Sequence, residues 1–152
     1  MPDAPKLLVI EDAHDHATLV GIAARRAYPG LDVHVVHEGV SGVAYLSGME
    51  PFEDRTEHPF PDLVILDLIM PEVDGFAVLR WIRKHLKDAS LPVVVLTSSP
   101  NPEHARRARA LGARAVYNKP ADLSDLGTVV KSIVDTWIGQ SRLIGAHLWA
   151  AG

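Results

Sequence analysis

Five short apolar runs recur along the chain, each followed by a longer stretch in which apolar residues return every three or four positions. The runs predict strands over residues 7–11, 32–37, 63–67, 92–97 and 114–118. Leu63-Val64-Ile65-Leu66 and Val93-Val94-Val95-Leu96 are apolar without alternation. That pattern suits strands covered on both faces, as in a parallel sheet flanked by helices. The intervening stretches predict helices near residues 14–27, 39–48, 75–87, 102–111 and 122–138. Pro29-Gly30 closes the first, Gly112 follows the fourth where a left-handed cap sits, and Asp122 caps the fifth. A βα unit repeated five times implies a doubly wound α/β sheet with right-handed crossovers. Residues 51–61 form a polar, proline-bearing loop before the third strand.

A length of 152 residues fits one domain. The formal net charge of −4, with no basic block, argues against a DNA-binding output. Arg106, Arg107 and Arg109 still make a small basic cluster on the fourth helix, either solvated or presented to an acidic partner. The absence of cysteine excludes disulfides, thiolate catalysis and zinc–cysteine sites, and suits a reducing compartment. Residues 1–6 run into the first strand without the apolar region of a signal peptide. No stretch approaches the ~18 apolar residues a membrane helix needs. The sequence reads as a cytoplasmic protein with no membrane segment.

In an open α/β sheet a ligand site lies beyond the carboxyl ends of the strands, at the topological switch point. Those ends are Glu11-Asp12, Asp67, Thr97-Ser98-Ser99 and Lys119-Pro120. Converging carboxylates repel unless a cation sits among them, and an all-oxygen donor set suits Mg²⁺. With a hydroxyl from Thr97 and an ammonium from Lys119, this is the environment a transferring phosphoryl group requires. Each residue taken alone is more readily a cap or a strand end. Their joint placement at four strand ends carries the reading.

The ordered set of motifs resembles the receiver domains of two-component response regulators over residues 6–138. It comprises Leu7-Leu8-Val9-Ile10-Glu11-Asp12, Pro61-Asp62-Leu63-Val64-Ile65-Leu66-Asp67-Leu68-Ile69-Met70-Pro71 with Asp74-Gly75, Val94-Val95-Leu96-Thr97-Ser98, and Lys119-Pro120. The resemblance implies a flavodoxin-like (βα)5 fold with strand order 2-1-3-4-5. It implies Asp67 as phosphoacceptor, with Mg²⁺ held by Glu11, Asp12, Asp67 and the backbone carbonyl of Ile69. Thr97 becomes the switch hydroxyl and Lys119 the site cation, aimed by a Lys119–Pro120 bond that is often cis in this family. No enzymatic activity on other molecules is implied, only self-phosphorylation and autodephosphorylation. The implied donor is a sensor histidine kinase or a histidine phosphotransfer protein. The long loop before the third strand, with Trp81-Ile82-Arg83 and Trp137, is similar to stand-alone regulators of bacteriophytochrome-type kinases. A homodimer through the fourth helix, fifth strand and fifth helix is also implied. The broad apolar arc of the fifth helix, Leu123 to Ile138, is either that of a well-buried helix or leaves an apolar margin for such a contact.

Two features depart from the family pattern. The aromatic switch position, three before Lys119, is Val116, and Tyr117 stands one step later. Alternation sends Tyr117 to the opposite face, so either the aromatic rotor is lost or the strand carries a bulge. Ile69 and Ser99 occupy positions that tune phosphate lifetime, and Ile69 either obstructs the hydrolytic water or packs under its loop. His14 and His16 are two apart, which favours a solvated helix start over a transition-metal site. Residues 139–152 are expected to be a short extension holding Leu143, Ile144, Leu148 and Trp149, with no effector domain. Among other classes, a haloacid-dehalogenase-type phosphatase wants a second acid where Ile69 stands. A pseudo-receiver would not need the intact acidic set. A nucleotide-binding fold would need a glycine-rich loop where Glu11-Asp12-Ala13-His14 stands.

Overall fold

A strand can be apolar on both faces only if both faces are covered, and the two uninterrupted runs meet that condition. In the computed structural model, which describes residues 4–87 and 90–139, every residue of β3 (Leu63–Leu66) and β4 (Val93–Thr97) is buried. They lie in a five-stranded parallel sheet with β1 (Lys6–Ile10), β2 (Asp32–Val36) and β5 (Ala115–Asn118), in the order β2-β1-β3-β4-β5. The helices are α1 (His14–Ala27), α2 (Gly39–Ser47), α3 (Gly75–His85), α4 (Pro102–Ala110) and α5 (Leu126–Val134). A 3-10 turn over Leu123–Asp125 leads into α5 and a π-helical turn over Asp135–Gly139 leaves it. This is the flavodoxin-like (βα)5 fold expected from the sequence. The expected features of residues 140–152 lie outside the described residues.

Strand alternation divides the core into two layers. Leu8, Ile10, Val64, Leu66, Val93 and Val95 face Tyr45 of α2, Phe76 and Leu79 of α3, and Ala108 of α4. Leu7, Val9, Leu63, Ile65, Val94 and Leu96 face Val20 and Ala24 of α1 and Leu126, Val130, Ile133 and Val134 of α5. Each fully buried aliphatic side chain contributes ~1.5–3 kcal/mol. The apolar arc of α5 faces this second layer, with Leu123, Val129 and Trp137 half-buried at its margin.

Most strand and helix ends fall within two residues of the sequence expectation, and the differences have causes. β1 and β3 stop one residue early, yet Glu11 N–H still donates to Val36 O at 3.1 Å and Asp67 N–H to Ile10 O at 3.0 Å. The sheet therefore guides both acids as it releases them. The fifth helical pattern is not one continuous α-helix. Asp122 caps its start, accepting from Ser124 N–H at 3.0 Å, and this tight turn forms the 3-10 segment. Asp74 caps α3, accepting from Ala77 N–H at 2.9 Å. Gly48 and Gly112, with φ of 71° and 109°, close α2 and α4 in the left-handed region.

The long loop between α2 and β3 is fastened by aromatic and guanidinium contacts. Tyr45 OH donates to Pro59 O at 2.9 Å, and its ring lies 5.1 Å from Phe52 and 5.8 Å from His58. Arg55 donates to the carbonyls of Tyr45, Leu46 and His58 at 2.8–3.0 Å, covering the open carbonyl end of α2. Burial pushes the Tyr45 phenol up from 10.0 to about 12. The folded protein thus resists ionising Tyr45, and stability falls as pH rises from 10 towards 12. Tyr45→Phe should cost ~1 kcal/mol at neutral pH and flatten that part of the alkaline decline, read by urea unfolding at stepped pH. A separate test concerns the turn after β3. A Cβ at Gly75 would meet the Asp67 carbonyl oxygen, and Leu68 Cα at 2.6 Å. Gly75→Ala should therefore destabilise by ~1–3 kcal/mol, measured the same way.

Candidate functional site

Parallel pairing sets Ile10 beside Leu66, so the next residues of the two strands, Glu11 and Asp67, leave the sheet side by side. They stand at the switch point, where the chain runs from β1 outward to β2 and back to β3. Glu11, Asp12 and Asp67 each offer a carboxylate oxygen, and these oxygens lie within 4.8 Å of one another. Glu11 and Asp67 are buried, and Asp12 is half-buried. Lys119, one residue beyond β5, is held by its N–H to Thr97 O at 2.8 Å. Its ammonium is in direct contact with Glu11 Oε1 and lies 3.8 Å from Asp67 Oδ2. Burial pushes the Glu11 carboxyl up to about 7, with Asp67 adding to the rise and Lys119 opposing it.

The sequence-predicted residues converge, with qualifications. Thr97 is 1% exposed, but among the described residues it makes no hydrogen bond to an acid of the cluster. Its Oγ1 accepts the N–H of Ser99 at 3.1 Å. Ile69 N–H approaches Asp67 Oδ1 at 3.4 Å, and the Ile69 side chain is 51% exposed. It therefore does not pack beneath its loop. The Lys119–Pro120 bond is trans, contrary to the expectation of a cis bond; the cis bond among the described residues is Glu50–Pro51. Lys119 reaches Glu11 and Asp67 in the trans form, held through its own N–H.

Register also decides between the two readings of β5. Ala115, Val116, Tyr117 and Asn118 pair in unbroken succession with Val94, Val95, Leu96 and Thr97. No bulge intervenes, so Val116 packs in the layer of α3 and α4 while Tyr117 joins that of α1 and α5. There Tyr117 OH accepts from Trp137 Nε1 at 3.1 Å.

Three histidines have contacts that the sequence did not disclose. Lys119 Nζ lies 3.0 Å from His16 Nδ1. An ammonium only donates, so His16 accepts there and carries its ring proton on Nε2. His37 Nδ1 donates to Glu11 O at 3.0 Å, and its ring stacks on His14 with centroids 3.7 Å apart. The start of α1 is solvated as expected, with His14 and Asp15 exposed, yet His14 and His16 border the site. A cleft of about 320 Å³ opens alongside, lined by Asp12, His14, His37, Glu38 and residues 71–73 among others.

A family model for the response regulator receiver domain matches residues 7–131. The chain belongs to the response-regulator receiver family. It is 31% identical over 139 residues to the probable methanogenesis regulatory protein FilR2 of Methanothrix harundinacea, covering 91% of this chain and 87% of that protein. The structure of the phosphorylated cyanobacterial phytochrome response regulator RcpA matches with a TM-score of 0.83 at 29% identity, over 90% of this chain and 96% of that one. The Mn²⁺-bound form of response regulator Rcp1, a Synechocystis protein, gives a TM-score of 0.79 at 28% identity, over 88% and 94% of the two chains.

The receiver site's electrostatics can be tested without a phosphodonor. Lys119→Met leaves two neighbouring buried carboxylates without their cation and should cost ~3 kcal/mol in chelator. Asp67→Asn removes one of the converging charges while Lys119 keeps Glu11, and should melt above the wild type. Comparable losses in both variants, read by denaturant unfolding, would mean that mutual repulsion of the acids is not the governing term.

Proposed function

We propose that this receiver accepts a phosphoryl group on Asp67 from a phosphohistidine of a sensor histidine kinase or a histidine phosphotransfer protein. The observation that carries the reading is the convergence of three carboxylates beside a buried ammonium. Asp67 supplies the nucleophilic oxygen. A new O–P bond forms as the P–N bond of the donor breaks, and the leaving imidazole takes up a proton. Lys119 faces Asp67 Oδ2 at 3.8 Å and stabilises charge on the incoming oxygens.

The donor set fits a hard divalent cation: all oxygen, two members buried and one half-buried at the rim. Glu11, Asp12, Asp67 and the Ile69 carbonyl would hold Mg²⁺, which when bound neutralises charge on the transferring group. The Mn²⁺-bound form of Rcp1 and the phosphorylated form of RcpA support both parts of this reading by kinship. Thr97 Oγ1, which accepts the Ser99 N–H, then donates its own proton to a phosphoryl oxygen, and that new bond starts the conformational change.

In this reading residues 1–138 are the receiver and 139–152 a short extension. The work is regulatory and cytoplasmic, with self-phosphorylation and autodephosphorylation its only chemistry. Kinship with phytochrome regulators points to a phytochrome-type kinase as donor. Pairing of two copies through α4, β5 and α5 fits the half-buried margin at Val129 and Trp137.

The test is intact-mass analysis after incubation with acetyl phosphate and Mg²⁺. One phosphoryl adduct is expected, absent from Asp67→Asn and from metal-free samples. No adduct, together with no binding of beryllofluoride, would make this chain a pseudo-receiver. Mg²⁺ alone should raise the melting temperature of the wild type and leave Asp12→Ala unmoved.

A further inference from the structure

The charge of this chain is strongly segregated. Residues 75–118 hold eight lysines and arginines against two acidic residues, while the whole chain holds 15 against 19. The remainder therefore carries seven against seventeen, so the net acidity of the molecule conceals a basic half. That half is the α3–α4 side of the sheet.

Contacts between the two helices arrange part of this charge in a groove. The guanidinium of Arg107 lies 4.2 Å over the Phe76 ring. Arg83 donates to Ala110 O at 2.8 Å. Arg80 is one turn from Phe76 and one turn from Arg83, on the stretch of α3 between those two points of contact. All three arginines are exposed, and among the described residues no carboxylate bridges any of them. Arg106 differs, being paired with Glu103. A guanidinium stacked on an aromatic face keeps its N–H edge for a carboxylate.

The groove is also wired to the site. Thr97 Oγ1 accepts from Ser99 N–H at 3.1 Å, and Ser99 Oγ shares a 2.6 Å hydrogen bond with His104 Nδ1. The His104 ring meets Phe76 edge-on, centroids 5.7 Å apart, beneath Arg107. Movement of Thr97 disturbs Ser99, then His104, then the ring on which Arg107 rests.

We infer that the α3–α4 groove bearing Arg80, Arg83 and Arg107 is a docking surface for an acidic segment of a partner protein, coupled to Thr97 through Ser99 and His104. The coupling rests on the phosphoacceptor reading; the docking does not. A nucleic acid fits less well, because a polyanion continuing past these short helices meets the acidic remainder. A second copy also fits less well, because a contact between unlike faces is head-to-tail and need not close.

The test is fluorescence anisotropy with a labelled helical peptide rich in Glu and Leu, its Lys-for-Glu counterpart, and a labelled single-stranded oligonucleotide. The acidic peptide should bind saturably, and Arg80→Gln/Arg107→Gln should weaken it about tenfold. Arg25→Gln/Arg26→Gln, which removes equal charge from α1, should leave it unchanged. Arg80→Lys/Arg107→Lys, which keeps the charge and loses the stacked fork, should fall between the wild type and the Gln pair, and thermal melts establish that each variant is folded. Absence of saturable binding, or equal weakening by both Gln pairs, overturns the docking site. So does tighter binding of the oligonucleotide, or self-association abolished by Arg80→Gln/Arg107→Gln.

With phosphorylated protein, the affinity should shift in the wild type and not in His104→Ala, at equal phosphoryl uptake by mass. A persisting shift in His104→Ala, or none in a phosphorylated wild type, overturns the coupling. Failure of uptake would overturn the phosphoacceptor reading, and the coupling with it, while the peptide measurements still decide the docking site.

Discussion

The arrangement of the molecule turns on one buried ammonium. Lys119 stands between Glu11 and Asp67 with about the same low exposure as they have, 4% against 4% and 6% for the side chains. Two like charges removed from water cannot lie side by side without a counter-charge. The strand order supplies it: β1 and β3 deliver the acids as neighbours, and β5, two strands beyond β3, delivers the cation across the top of the sheet. The rise of the Glu11 pKa to about 7 shows how nearly balanced this is, since burial outweighs the lysine. A site poised in this way gains from any further cation, which is the property a metal-dependent acceptor needs.

The sheet that assembles this charge also separates it from its surroundings. One layer of side chains faces α1 and α5, the other α2, α3 and α4, and the central strands β1, β3 and β4 are buried through their middle. Val116 and Tyr117 fall to different layers by simple alternation. The aromatic group of β5 is thereby committed to Trp137 and the end of the fifth helical segment, leaving an aliphatic residue against α3 and α4. On that side the polar connection leaving Thr97 runs instead through the loop after β4, by way of Ser99 and His104.

How much of this was legible follows from which features are local. The apolar runs, the left-handed Gly112 and the Asp122 cap depend on a few neighbouring residues, and the structure matches them. The meeting of Glu11, Asp12, Asp67 and Lys119 was legible because parallel strands bring their carboxyl ends to one edge, whatever the loops do. The histidine contacts were not. His16 with Lys119, His37 with Glu11 O and His104 with Ser99 depend on where a helix starts and how a loop folds back, and no periodicity encodes that. The Lys119–Pro120 isomer, expected by family resemblance, depends on packing in this chain and came out trans.

Local neutralisation sets the last constraint. In the proposed function a phosphoryl group at Asp67 adds about two negative charges at neutral pH. They would arise in the acidic half of the molecule, beside Lys119 and whatever cation the acids hold. Such charges are largely neutralised locally, and beyond a Debye length of about 8 Å at physiological salt solvent screens most of what remains. The α3–α4 groove would therefore sense little of the new charge directly. Any response there has to travel through contacts that can exist in two arrangements. Thr97 Oγ1 has two such partners available in principle: the Ser99 N–H it holds now, and an oxygen at Asp67 when one is added. It accepts from the first and would donate its own proton to the second, so the new bond would pull on a side chain that Ser99 already holds. That pull, more than the charge itself, would make α4 responsive.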